Sequence, residues 1–253
     1  MKKKVPDIFA FCVSMLFLQA CQKDITSDKG SVALTFRNVV GNSAMELNSV
    51  VYNNPFNEQY TITKFRYYIS NVKLTGDGGI VAVEPNSYHL VDEANPGSLR
   101  FNFDVAVNSF SKMEFVLGVD STRNVSGAQT GALDPLNDMF WTWNSGYVMA
   151  KLEGNSPQST VAGNKIEYHI GGFSGENNVL KHIQLTFPDG KQVNVKAGQT
   201  SKIMVEADVN TWWQAPNNIR IAELPICTTP GVPSKKIAEN YGKMFTITDV
   251  INE

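Results

Sequence analysis

Two tryptophans set two residues apart, Trp141 and Trp143, are the pattern in this chain most capable of chemistry. They lie in Met139-Phe140-Trp141-Thr142-Trp143-Asn144-Ser145-Gly146-Tyr147-Val148-Met149, among aromatic rings and two methionines. In extended backbone, residues i and i+2 point to one face, so the spacing places the two indoles side by side. Large rings are ordinary core material wherever they occur. The flanks point instead to a site. A small-residue loop from Asp120 to Gly131 and a single helical turn lead into the pair, and Asn144-Ser145-Gly146 follows it. An indole held at such a junction is accessible to electron removal. Unmodified, it offers only an N–H donor and no lone pair for a metal.

Nitrogen ligands are scarce, since the chain has three histidines, His89, His169 and His182. In Ile166 to Ile170 the apolar residues share one face, so Glu167 and His169 share the other. Gly171-Gly172 follows at once and clears space beside the imidazole, which predicts His169 near both indoles. His89 lies opposite Tyr88 and Leu90, and His182 alternates against Ile183 and Leu185 toward solvent. Cys227, Met139, Met149 and Met244 are soft donors, although a single Cys or Met more often serves as packing. Trp212 and Trp213 are adjacent, which in a strand turns one ring inward and exposes the other.

These residues need a scaffold, and its dominant period is two. Val32, Leu34 and Phe36 alternate with polar neighbours; so do Leu99 to Val107, Met113 to Val119, Ile183 to Phe187 and Ile203 to Val209. Each set reads as a strand with one buried face. From Tyr60 to Leu74 the apolar phase slips twice, which predicts one long strand bent by bulges. Helix is scarce: Asp134-Pro135-Leu136 opens a turn or two ending near Phe140, and Ser234 caps a segment to Tyr241 that Gly242 stops. The expected class is all-β, a two-layer antiparallel β-sandwich of immunoglobulin-like type with one or two short helices.

The N-terminus has its own logic. Met1-Lys2-Lys3-Lys4 is a basic start, Ile8 to Leu18 is apolar, and Leu18-Gln19-Ala20-Cys21 has the form of a bacterial lipobox. The expectation is a lipoprotein signal over 1–20, a polar tether over 21–30 and one β-domain over 31–253, with Cys21 acylated. Location follows as the periplasm or cell surface, lipid-anchored to a bacterial membrane, with the outer membrane expected. Residues 1–20 hold three lysines and one aspartate, so their removal takes the formal charge from −2 to −4. An acidic domain excludes nucleic acid as a partner. Cys12 leaves with the signal and Cys21 carries lipid, so Cys227 has no thiol to pair with. The chain contains no nucleophile elbow, phosphate loop, dinucleotide fingerprint or Cys-x-x-Cys, and no set of carboxylates stands out. No catalytic residue is assigned, and an enzyme is not expected.

Several segments, in order, resemble the MbnP-like family of copper-binding proteins. They are Phe65-Arg66-Tyr67-Tyr68-Ile69-Ser70-Asn71-Val72-Lys73-Leu74, His89-Leu90-Val91-Asp92, Phe115-Val116-Leu117-Gly118-Val119-Asp120, and Gly131-Ala132-Leu133-Asp134-Pro135. The W-x-W block, Glu153-Gly154 and His169-Ile170-Gly171-Gly172 complete the set. The resemblance implies a β-sandwich that binds one copper ion. It also implies oxidation of Trp141 to kynurenine, with Trp143 adjacent, by a partner di-haem cytochrome c peroxidase of the MauG type. The implied metal set is His169 and Trp141 as kynurenine, with His89, Met139, Met149 and Cys227 as further candidates for a soft copper(I) site. The chain departs from the family where a histidine is expected after the first strand's Phe, here Phe36-Arg37-Asn38, and again at Ile226-Cys227-Thr228-Thr229-Pro230. A second reading is a non-enzymatic accessory lipoprotein that binds a glycan through Trp141, Trp143 and Trp213.

Overall fold

The computed structural model describes residues 28–127, 129–141 and 146–253. Cys21, the signal, the tether to residue 27 and Trp143 lie outside those residues. The main strands are β1 (Lys29–Val40), β2 (Gln59–Thr75), β3 (Tyr88–Asp92), β4 (Arg100–Ala106), β5 (Lys112–Leu117), β6 (Gly146–Asn155), β7 (Lys165–Gly171), β8 (Lys181–Thr186), β9 (Thr200–Asp208) and β10 (Phe245–Ile251). The helices α1 (Ser121–Asn124) and α2 (Val232–Tyr241) are short.

One sheet runs β10–β9–β1–β4. The other runs β8–β5–β2–β6–β7 and ends on the two-residue strand Ile226–Cys227, with β3 and shorter pieces also paired to β2. The chain is mostly β, as expected, but the sheets are mixed and the second curls into a half-barrel. β1 pairs parallel with β9 from Ser31–Thr200 to Val39–Asp208, and β7 pairs parallel with Ile226–Cys227. The expected wholly antiparallel, immunoglobulin-like sandwich is corrected to that extent. Period-two alternation reports which face is buried and is the same for either strand direction. β1 and β9 are also too far apart in sequence for a turn to fix their sense.

The core lies between the sheets. Phe36 of β1 and Phe245 of β10 meet Tyr67 of β2 edge-on, at 6.1 and 5.6 Å between centroids. Phe115 of β5 closes the cluster on Phe245 at 5.0 Å. Edge-to-face geometry aligns ring quadrupoles as well as burying area.

The long bent strand is β2, and both slips are there. Glu153 pairs with Lys64 and Gly154 with Ile62, leaving Thr63 as an extra residue. Ser70 pairs with Val116 and Lys73 with Glu114, leaving another near Asn71, whose φ is +55°. Two bulges let one strand serve both arms of a curled sheet.

The turn from Asp134 starts where expected but stops three residues short of Phe140. The Asp134 carboxylate accepts from the Leu136 amide, and the turn ends at Asn137 because Asp138 is left-handed, with φ +57°. α2 begins at Val232, two residues before the expected cap. Pro233 occupies the first turn and Ser234 is buried inside it, while Gly242 stops the helix as expected. α1 was not anticipated; Asp120 caps it by accepting from the Arg123 amide.

The exposed-ring expectation for Trp212–Trp213 is overturned, since both are 1% exposed. They do not lie in a strand. Val209–Trp212 is a 3-10 turn and Trp213 is helical in φ/ψ, so neighbouring side chains no longer point in opposite directions. Trp213 packs on Tyr60 and Tyr168, and Trp212 on Phe65 and Tyr241.

Candidate functional site

The half-barrel sheet has an inner face, with Phe65, Tyr67 and Ile69 in the core, and an outer face that alternates with it. Across β2, β6 and β7 the register places Arg66 opposite Lys151 and Lys151 opposite His169. It likewise places Lys64 opposite Glu153 and Glu153 opposite Glu167. Cross-strand partners share a face. His169 therefore stands on the outer face among charged neighbours, as its alternation against Tyr168 and Ile170 required.

The segment 134–141 crosses this face. The Met139 carbonyl accepts from the Val148 amide at 2.9 Å, and Phe140–Trp141 pairs with Gly146–Tyr147 at the start of β6. The Trp141 ring lies against Gly171, where an added Cβ would stand 2.5 and 2.7 Å from two of its carbons. Only a glycine permits that approach. His169 and Gly171 are two apart in β7 and share its outer face. The space expected at Gly171 is therefore not open but occupied by the Trp141 indole, which is 7% exposed. A cleft of about 260 Å³ opens beside it, lined by Trp141, Gly146, Gly172, Phe173, Asn177 and Pro230.

The His169 Nε2–H donates to Glu153 Oε1 at 2.8 Å. Lys64 and Lys151 lie 3.4 and 3.8 Å from the same carboxylate. Both lysines also reach Asp138 Oδ2, at 2.8 and 3.0 Å, and Lys151 Nζ donates to the Asp138 carbonyl as well. The hydrogen bond from His169 holds the Glu153 carboxyl down at about 2, against the upward push of burial and with help from both lysines. Burial pushes Asp138 up, but the lysines outweigh it and hold it at about 2. Burial pulls the Lys151 ammonium below its usual range, opposed by Asp138 and Glu153.

A pH dependence follows. A depressed carboxyl contributes stability that is complete above its ordinary value, 4.5 for Glu153, and is lost as pH falls through its folded value near 2. Thermal midpoints of the wild type and Glu153→Gln should differ at pH 6 and converge as pH drops from about 4.5 to about 2. A gap that stays constant over that window would remove this assignment.

The other candidates do not join this cluster. His89 pairs in register with Ile69 of the inner face, opposite to the Arg66–Lys151–His169 row. Its Nε2 bonds the buried Glu84 at 2.9 Å and its ring stacks on Phe101 at 3.5 Å. Cys227 is in register with Tyr168 and so faces the core, away from His169. Burial raises its thiol pKa, which keeps the soft thiolate form scarce. The Met149 sulfur accepts from the Val119 amide at 3.2 Å. Met139 is fully buried. The proposed convergence of sulfur donors on His169 is therefore corrected for Cys227 and Met149: strand alternation and the Val119 contact turn them elsewhere. Asn38, at the position of an expected family histidine, accepts from Tyr67 Oη at 2.9 Å and donates to Glu93 at 2.7 Å on the inner face. Among the described residues no group of three or more His, Cys, Asp or Glu could hold a metal.

The residues given no site role by the sequence are Lys64, Asp138, Lys151 and Glu153, the last of which entered only through the family resemblance. Alternation could have placed Lys151 beside Glu153 on a polar face. Nothing local signals that Lys151 is buried, because the cover arrives from segment 134–141.

Copper(II) favours nitrogen and oxygen ligands. His169 supplies an imidazole two residues along the strand face from the Gly171 that carries the Trp141 ring, and an oxidised indole would add an amine and a carbonyl. Those donors are of the kind copper(II) takes, with Glu153 engaged by His169 and the two lysines.

A family model described as MbnP matches residues 29–229. No curated protein matches. Among solved structures, MbnP from Methylosinus trichosporium is similar with a TM-score of 0.57 at 13% identity, covering 87% of this chain and 98% of that one. At that identity the likeness shows the fold alone.

Proposed function

Since this chain belongs to the MbnP family, we propose that it is an extracytoplasmic, lipid-anchored copper-binding protein of metal homeostasis. Trp141 is the residue oxidised to kynurenine, by a partner di-haem cytochrome c peroxidase of the MauG type. His169 supplies the imidazole, and Glu153 orients it. The observation that carries the reading is the Trp141 ring on Gly171, two residues along the same strand face from a histidine already fixed by a carboxylate. Oxidation turns a side chain with no lone pair for a metal into one with an amine and a carbonyl, so copper affinity depends on the modification.

Protein isolated from its own host should carry copper and the mass of kynurenine in the peptide containing Trp141. Unmodified Trp141 together with no bound copper would overturn the proposal. The glycan-binding alternative is weakened, because Trp213 is buried and Trp141 nearly so, while Trp143, its third ring, lies outside the described residues.

The location rests on Lys2-Lys3-Lys4 and Leu18-Gln19-Ala20-Cys21. More than one acyl chain on Cys21 would hold the domain to a membrane. Cys21→Ala should release soluble protein or leave the precursor unprocessed. Membrane retention with normal processing in that variant would rule the anchor out.

A further inference from the structure

We propose that Lys151 is the positioning residue of this site, fixing Trp141 and His169 relative to one another; this rests on reading those two residues as the site. Its side chain is 3% exposed, unusual for a lysine, and its ammonium is shared between the two halves. On one side it holds Asp138 by both the backbone carbonyl and the carboxylate. Asp138 is left-handed and three residues before Trp141, so its placement aims the short strand that sets the indole on Gly171. On the other side it lies 3.8 Å from Glu153 Oε1, the atom that His169 donates to.

Lys64 reaches the same two carboxylates but is 28% exposed, so water can replace it. The remaining charge facing Asp138 is Arg66, at 3.9 Å, and Arg66 is already paired with Asp92 at 3.0 Å. A lysine suits the position because its ammonium carries three donors on a compact head and can serve a carbonyl and two carboxylates together.

The test uses metal-free protein first. The Trp141 indole N–H resonance is identified by its loss in Trp141→Phe, and the His169 imidazole resonances by their loss in His169→Ala. Lys151→Met should move both sets, because neither half retains its shared anchor. Lys64→Met should leave both near their wild-type positions. Copper(II) titration of protein isolated from its own host, in which Trp141 is oxidised, followed by electron paramagnetic resonance, should then show a changed spectrum in Lys151→Met and an affinity lower by about 10- to 100-fold, the usual cost of losing an outer partner. If Lys151→Met does not fold, Asp138→Asn decides, since that side chain is largely exposed and its replacement keeps the shape. Unmoved Trp141 and His169 resonances in the folded variant, or equal effects from Lys64→Met, would overturn the role of Lys151. A wild type that carries the oxidised Trp141 and still binds no copper would overturn the reading of the site, while the metal-free spectra would still decide for or against Lys151.

Discussion

Trp141→Phe is expected to abolish strong copper binding whatever the host, the partner enzyme or the growth conditions. Phenylalanine keeps a ring against Gly171 but has no indole to open, so no amine or carbonyl can be made there. The loss should exceed the roughly 10- to 100-fold that removal of an outer-shell partner costs, because a ligand itself is missing. His169→Ala should lose affinity to a similar degree, since few other nitrogen ligands are available and His89 faces the opposite side of the sheet. Wild-type protein made without the partner peroxidase should behave like Trp141→Phe. Competition against a chelator of known affinity measures all three, with thermal unfolding run alongside to show that each variant is folded. Wild-type affinity in Trp141→Phe would sink the modification-dependent site.

The second large effect is on stability. Trp213→Ala should cost about 3–5 kcal/mol, the range for removing a large buried ring. Trp213 is 1% exposed, lies 5.0 Å from Tyr60 and 5.6 Å from Tyr168, and donates to Tyr60 Oη at 3.2 Å. Its removal opens a cavity where segment 209–213 meets β2 and β7, and leaves a buried hydroxyl without its donor. For a domain of this size each kcal/mol moves the midpoint by about 2–4 °C, so a fall on the order of 10 °C is expected. An exposed ligand-binding tryptophan would instead change stability by less than about 0.5 kcal/mol. Urea unfolding distinguishes the two, and a change that small would mean the ring is not in the core.

Much of this arrangement was written locally in the chain. Alternation from Ile166 to Ile170 placed His169 on the outer face, and the two phase slips between Tyr60 and Leu74 appeared as the two bulges of β2. Gly171 was expected to leave space beside His169, and the Trp141 ring fills it. Asp134-Pro135 began a turn where its capping chemistry said it would. Trp212 and Trp213 are both buried for a local reason: neighbouring side chains alternate in a strand but not in a helical turn.

The sequence by itself determined the β class and the faces of individual strands, that of His169 among them, because side-chain period and turn chemistry are properties of a few consecutive residues. Only the tertiary structure decided strand sense and which donors meet. β1 and β9 pair parallel although their first partners, Ser31 and Thr200, are 169 residues apart in the chain, a distance over which no local preference acts. Cys227 is turned from His169 by its register with Tyr168, and His89 by its register with Ile69. Lys151 is the clearest case. A lysine between Ala150 and Leu152 reads as solvated, and it becomes a buried anchor because Asp138 is folded over it from a segment whose position the sheet pairing sets.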